Sequence, residues 1–428
     1  MTDYLAIPSA REVRGEVRVP SSKSATNRAL VLAALSEAPV EIADPLDSDD
    51  TRALARCLEA MGASIAPSPR GLLVSGPLGS RGGEEVLLDA GDSGTAARFL
   101  AAIAATTSGS FLLTGSRRLK ERPMEELVTA LRSGGARIAF REQEGRLPVA
   151  IEGASLRSGK VTANASRSSQ FLSALLLAGV AVPGGLEVVP EGSIASAPYV
   201  DQTLDALAAF GHDVNRGASI RITRGEKSPG RYDVPGDYSS AVPLLAAAGV
   251  TNGEVRVTGL AWPSSDADAG ALPVLENMGV GIEAGPSAVT ALASAGSLAA
   301  TDVSATDFPD SVPALAALAA FAPGKSRFRG IAHLRWKESD RVGALAALFS
   351  ALGVTVSARE AELVVEGNPA WLRSRRGVVR LRTFHDHRIA MAAALLSLGA
   401  PGCLVEDPSC VAKSYPGFFR DLESITVR

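Results

Sequence analysis

Apolar residues along the chain gather into Ala/Leu-rich runs, and each run is led by a small polar cluster. Six such runs occur: Lys23–Leu35, Ser93–Ile103, Ser168–Ala178, Asp237–Ala248, Asp310–Ala320 and Asp386–Leu396. With Ser24, Ser93, Ser168, Ser239, Ser311 and His387 as markers, successive copies are 69, 75, 71, 72 and 76 residues apart. The runs are apolar on nearly every face, which predicts helices in an interior and not on a half-wet surface. A second helix follows each first one: Arg52–Met61, Met124–Ser133, Val200–Phe210, Ala271–Met278, Arg341–Leu352 and Gly417–Ser424. The first five stop at Gly62, Gly134 and Gly135, Gly211, Gly279 and Gly353. Glycine tolerates the left-handed backbone of a position just past a helix. Between the helices lie β-type runs such as Gly109–Thr114, Leu147–Ile151, Glu254–Thr258 and Val378–Thr383. Each unit therefore reads strand, helix, strand, helix, further strand. Six units divide into two sets of three, with a break expected near Pro229–Gly236.

Composition agrees with two domains and removes several function classes. The chain has 428 residues, and single cores rarely grow past roughly 250–300. Its formal net charge of −3 argues against a general nucleic-acid binder, which needs a basic face. The apolar stretches Val312–Pro323 and Ile389–Leu398 fall short of the roughly 20 residues that span a bilayer. The first residues lack a basic segment followed by an apolar run, so no secretory signal is read. Cys57, Cys403 and Cys410 form no CxxC pair, and the four His form no HExxH, so neither a disulfide framework nor a metal site is expected. The expectation is a cytoplasmic protein.

The starts of the first helices carry the candidate chemistry. Free backbone N–H groups and the helix dipole make such starts ready anion sites. Ser, Thr and Asp there read equally as ordinary N-caps on buried helices. Cations recur at equivalent points of the repeat: Lys23, Arg28, Arg98, Arg122 ahead of Pro123, the stretch His333–Arg341, the stretch His385–Arg388, and Lys413. Taken singly, each reads as a solvated surface charge. Together they describe a site for phosphate and carboxylate groups, with Arg offering planar forks and Lys point charges. Asp310 and Glu338 stand among these cations, where a carboxylate can serve as a base. Both also read as capping acids at helix starts. Gly91–Ala97 is Gly-rich, a weak phosphate signal alone.

This combination resembles the 5-enolpyruvylshikimate-3-phosphate synthase family over essentially the whole chain. The resemblance rests on Ser22–Arg28, Gly91–Arg98, Arg122–Met124, Ser168–Gln170, Asp307–Asp310, Arg335–Arg341, Asp386–Arg388 and Lys413, in that order. It implies an α/β fold of α+β type: a two-domain inside-out α/β barrel. Each domain would hold three βαβαββ units, with buried helices and sheets outside. One domain would be discontinuous, residues 1–20 with 237–428, and residues 21–236 would be inserted, with the active site in the cleft between. The implied reaction moves the enolpyruvyl group of phosphoenolpyruvate to the 5-hydroxyl of shikimate 3-phosphate and releases phosphate through a tetrahedral intermediate.

The resemblance also implies roles. Lys23, Ser24, Arg28, Ser168, Ser169, Gln170, Ser196, Asp310, His333 and Lys337 would hold shikimate 3-phosphate. Lys23, Gly94, Arg122, Gln170, Arg341, Arg388 and Lys413 would hold phosphoenolpyruvate. Asp310 would accept the proton of the attacking hydroxyl, and Glu338 with Lys23 would manage protons at the methylene carbon. No cofactor or metal, no nucleic acid and no membrane is implied, and a monomer is expected. Two positions depart from common family residues: Asp92 where Asn is frequent, and Phe99 where Pro is frequent. The sister family, UDP-N-acetylglucosamine enolpyruvyl transferase, typically carries a Cys shortly before the position of Arg122. Ser116–Glu121 holds none. A non-catalytic anion-binding protein of the same fold is the other alternative.

Overall fold

The structure is a computed structural model that describes residues 3–79, 83–157, 159–225, 228–293, 296 and 298–427. Met1, Thr2 and Arg428, at the outer ends of the expected discontinuous domain, lie outside these. Contacts divide the chain into an inserted unit, Ser21–Val234, and a discontinuous unit of the residues up to Pro20 and from Pro235 on.

Three helices, Lys23–Leu35, Gly94–Thr106 and Gln170–Gly179, form the interior of the inserted unit and are buried on almost every face. Small alanines and leucines let them pack on one another without a polar side to hide. Ser22 and Ser93 cap the first two by accepting N–H bonds from Ala25 (3.3 Å) and Ala96 (3.2 Å). Around them lie three four-stranded sheets of one design. In each, a parallel pair is extended by two antiparallel strands. Glu85–Asp89 pairs parallel with Ser110–Thr114, which carries Val149–Glu152 and then Arg137–Phe140. Gly159–Asn164 pairs likewise with Leu186–Glu191, followed by Ile220–Thr223 and Asp213–Arg216. The remaining sheet takes its first strand from the far end of the unit: Arg231–Asp233 runs parallel to Val40–Ala43, ahead of Gly71–Ser75 and Ser64–Ser68. The stretch 229–236, expected as a break, thus contains a strand that completes the first βαβαββ unit.

The discontinuous unit repeats the plan with helices Tyr238–Thr251, Val312–Ala319 and His387–Gly399. Two of its sheets depend on the N-terminal segment. Glu12–Arg18 runs parallel to Glu254–Thr258, and Tyr4–Ala6 runs antiparallel to Cys403–Glu406. The middle sheet is ordered Asp302–Ser304, Gly324–Arg329, Glu362–Gly367, Thr355–Ala358.

The glycine stops have the expected geometry. Gly62, Gly135, Gly211, Gly279 and Gly353 all have positive φ, between +73° and +102°. The residue after the glycine returns its N–H into the last turn, as Ala63 does to Leu58 (2.9 Å) and Val354 to Phe349 (2.9 Å). Gly134 keeps φ −81° and is the last residue before that turn, so Gly135 alone is the stop in its pair. The expected strand Leu147–Ile151 begins at Val149, because Pro148 has no N–H to give a ladder. The expected helix Ala271–Met278 opens as a 3-10 turn, Ala267–Ala271, and continues as Leu272–Asn277. Among the described residues no helix is long and apolar enough to cross a membrane. No group of three or more His, Cys, Asp or Glu among them could hold a metal ion.

Candidate active site

In the inserted unit the named residues gather at the N-terminal ends of the three buried helices. Lys23 opens the first helix, is almost fully buried, and meets Asp50 at 3.1 Å across the start of the helix Asp49–Ala60. Ser24 lies one residue on and gives its carbonyl to Arg28 Nη1 (2.9 Å). Arg28 also donates to Thr203 Oγ1 (2.8 Å) and the Tyr199 carbonyl (2.8 Å), so it joins the first helix to Pro198–Ala209. Ser196 precedes that helix in the left-handed region, φ +56°. Gln170 opens the third helix behind Ser168 and Ser169, and its amide donates to Thr95 Oγ1 (3.1 Å) at the start of the second. Gly94 is the first residue of that second helix, and the Arg122 guanidinium lies flat against it. A Cβ at Gly94 would stand 2.5 Å from Arg122 Nη1 and Nη2. Arg98 fixes the turn that delivers Arg122, donating to the carbonyls of Gly94 (3.1 Å) and Pro123 (2.9 Å). Ser116, which caps the short helix Arg117–Lys120, is bonded to Asp92. The departure at position 92 therefore has a partner in the turn leading to Arg122.

In the discontinuous unit the named residues centre on Arg341. Its side chain is buried and surrounded by three carboxylates: Nη1 to Asp310 Oδ1 (2.7 Å), Nη2 to Glu338 Oε2 (2.8 Å) and Nε to Asp386 Oδ2 (2.9 Å). Two further cations face Asp310, Lys337 at 3.5 Å and Arg388 at 3.7 Å. Arg388 is held in turn by the carbonyl (2.7 Å) and hydroxyl of Ser239. Lys413 is buried at the end of the 3-10 helix Pro408–Lys413, which packs on His387–Gly399. His333 is buried in the 3-10 turn Ala332–Trp336.

The capping roles open to the two acids fall to other residues. Ser311 takes the N-cap position of Val312–Ala319 and donates its hydroxyl to Asp268 (2.7 Å). Asp340 caps Arg341–Ala351 through the Gly343 N–H (3.0 Å). Asp310 and Glu338 are left to share one guanidinium, one on each Nη.

The charges shape one another. Burial alone would raise the Asp310 carboxyl, but Lys337, Arg341 and Arg388 outweigh it and hold Asp310 well below the usual carboxylate range. Burial opposes the Arg341 charge, and Asp386, Asp310 and Glu338 more than compensate. Burial, with Lys337 adding to it, pushes His333 down to about 4, so its ring is neutral at pH 7 and acts through hydrogen bonds.

Two contributors have contacts that the sequence does not show. Asp386 is fully buried and accepts from Arg341, from the Ser339 hydroxyl (2.9 Å) and from the backbone N–H of Arg388 (2.9 Å), so one carboxylate orients the Arg341 side chain and caps the helix that bears Arg388. In sequence it reads as an N-cap. Asp50 lies ahead of the expected helix Arg52–Met61, and only the fold brings it to Lys23.

The fold is that of the enolpyruvyl transferases. The enolpyruvyl transferase NikO from Streptomyces tendae superposes with a TM-score of 0.79 over 99% of this chain and 97% of its own, at 21% identity. The structure of EPSP synthase from Acinetobacter baumannii superposes with a TM-score of 0.80 over 100% of this chain and 98% of its own, at 27% identity. The 3-phosphoshikimate 1-carboxyvinyltransferase of Thermococcus kodakarensis is 42% identical over 417 residues, 97% of this chain and 98% of its own length. The family model for EPSP synthase (3-phosphoshikimate 1-carboxyvinyltransferase) matches residues 7–422, and the chain belongs to that family.

Proposed function

We propose that this chain transfers the enolpyruvyl group of phosphoenolpyruvate to the 5-hydroxyl of shikimate 3-phosphate and releases phosphate. The observation that carries the reading is the placing of Asp310 and Glu338 on the two Nη atoms of Arg341. The reaction needs a base for a hydroxyl and a proton carrier for a carbon a short distance away. One guanidinium holds two carboxylates at that separation.

In this account Lys23, Gly94, Arg122, Gln170, Arg341, Arg388 and Lys413 hold phosphoenolpyruvate. Lys23, Ser24, Arg28, Ser168, Ser169, Gln170, Ser196, Asp310, His333 and Lys337 hold shikimate 3-phosphate. We take the two units as the protein's two domains. The 5-hydroxyl oxygen attacks C2 of phosphoenolpyruvate while Asp310 takes its proton, and Glu338 with Lys23 delivers a proton to C3. The tetrahedral intermediate then loses the C2–O bond to phosphate, and a proton leaves C3 to restore the double bond.

Charge balance supports the assignment of Asp310. Without substrate, three cations keep it a poor base. Phosphate and carboxylate groups on those cations offset their charge, so Asp310 gains basicity once the anions are in place. Holding both reactants can account for roughly 7–11 kcal/mol of the barrier. The reading also takes the protein to be a cytoplasmic monomer acting on small anions without a cofactor.

Phosphate release from phosphoenolpyruvate, measured with shikimate 3-phosphate and with UDP-N-acetylglucosamine, tests the proposal. Release with the first acceptor alone is expected. Release with only the second would assign the chain to the sister reaction, and none with either would make it a binding protein.

A further inference from the structure

Two turns of the discontinuous unit hold non-glycine residues in the left-handed region, and the two turns meet. Phe384 (φ +56°) and His385 (φ +55°) precede the helix His387–Gly399, and Asp407 (φ +42°) precedes Pro408–Lys413. Left-handed backbone is unfavourable for bulky L-residues, and two in succession persist only where their surroundings over-determine them. Here Arg382 lies over the Phe384 ring at 4.8 Å, and the Asp386 N–H bonds the Thr383 carbonyl (3.0 Å). The Asp407 N–H bonds the Asp3 carbonyl (2.8 Å).

The side chains of His385 and Asp407 join the turns, and Arg382 Nε approaches Glu406 Oε2 at 3.7 Å beside them. Asp407 uses Oδ1 to accept from Ser409 in its own turn (2.6 Å) and Oδ2 to accept from His385 Nδ1 (2.5 Å). A carboxylate only accepts, so Nδ1 carries the proton. The His385 side chain is 88% exposed, so core packing does not explain its conformation. Each turn leads into an element bearing a buried cation, Arg388 in one and Lys413 in the other, and the two elements pack together.

We propose that His385 is a positioning residue for phosphoenolpyruvate: its bond to Asp407 locks the two left-handed turns together and sets the spacing of Arg388 and Lys413. The inference rests on the reading of those two cations as phosphoenolpyruvate ligands. A single hydrogen bond to an exposed ring adds little to global stability, so the effect of the lock is geometric.

Steady-state kinetics of His385→Ala, His385→Asn, Asp407→Ala and the double alanine variant test it, with thermal unfolding alongside. Asn keeps a donor in the place of Nδ1 and tolerates left-handed backbone. His385→Ala is expected to raise KM for phosphoenolpyruvate about fivefold, the scale of one exposed pair. KM for shikimate 3-phosphate and kcat stay within about twofold, and His385→Asn restores the wild-type values. The double variant is no worse than the worse single one, because both remove the same bond. An unchanged KM for phosphoenolpyruvate, an equal rise in both KM values with lost stability, or no rescue by Asn would overturn the inference. Arg388→Lys and Lys413→Met serve as references. If they leave KM for phosphoenolpyruvate unchanged, the underlying assignment of those cations fails instead.

Discussion

Arg341 and Asp310 meet at 2.7 Å in a buried setting, and Lys337, Arg341 and Arg388 together hold the Asp310 carboxylate well below the usual range. The same guanidinium holds Glu338 and Asp386, so it organises three carboxylates with distinct environments.

Asp310→Asn preserves the shape of the site and removes the proposed base. A positioned base contributes about 10²–10⁴ in rate, so kcat is expected to fall by that factor. The KM values should change only a few-fold. Stopped-flow phosphate release measures both. A kcat within about threefold of wild type would remove Asp310 as the base.

Asp386→Ala leaves Arg341 Nε, the Ser339 hydroxyl and the Arg388 N–H without their shared acceptor. Breaking a buried ion pair from one side costs about 3–5 kcal/mol. Urea unfolding should show a loss of that size, smaller for Asp386→Asn because the amide oxygen still accepts. A loss under about 1 kcal/mol would mean that Arg341 is oriented by other contacts.

Gly94→Ala puts a methyl group where the Arg122 guanidinium now lies, 2.5 Å from both Nη atoms. The helix itself accepts alanine readily. KM for phosphoenolpyruvate should therefore rise about tenfold, the loss of about 1.4 kcal/mol of binding, with unfolding unchanged. Titration calorimetry with phosphoenolpyruvate checks this, and unaltered affinity would place Arg122 outside the site.

His333 titrates near 6.5 in an unfolded chain and at about 4 in this fold, because burial disfavours its charge. Between those values the unfolded chain binds a proton that the folded chain does not. The His333 contribution is complete above pH 6.5 and is lost as pH falls towards 4, by about 2–3 kcal/mol. Unfolding at pH 7 and at pH 4.5 should show a smaller acid loss in His333→Asn than in the wild type. Equal losses would mean that His333 is not held neutral.

Local signals made the helices legible, and long-range pairing hid the rest. The glycines at 62, 135, 211, 279 and 353 report a backbone conformation that one residue type favours, so a stop can be read from the chain alone. No local pattern says that Arg231–Asp233 pairs with Val40–Ala43, or that Tyr4–Ala6 joins Cys403–Glu406 at the other end of the chain. By motif alone Asp310 and Glu338 are as good caps as bases. Only the placing of Ser311 and Asp340 at the actual helix starts releases them. Asp386 shows the reverse case: it caps its helix, as its position suggests, and the same carboxylate also holds Arg341.

The central claim is transfer of an intact enolpyruvyl group to the 5-hydroxyl oxygen of shikimate 3-phosphate. Its most direct test is ³¹P and ¹³C NMR of the enzyme with shikimate 3-phosphate and phosphoenolpyruvate labelled at C2. The account predicts inorganic phosphate and a labelled enol ether of shikimate 3-phosphate in equal amounts. Phosphate accompanied by labelled pyruvate, with shikimate 3-phosphate unchanged, would contradict it.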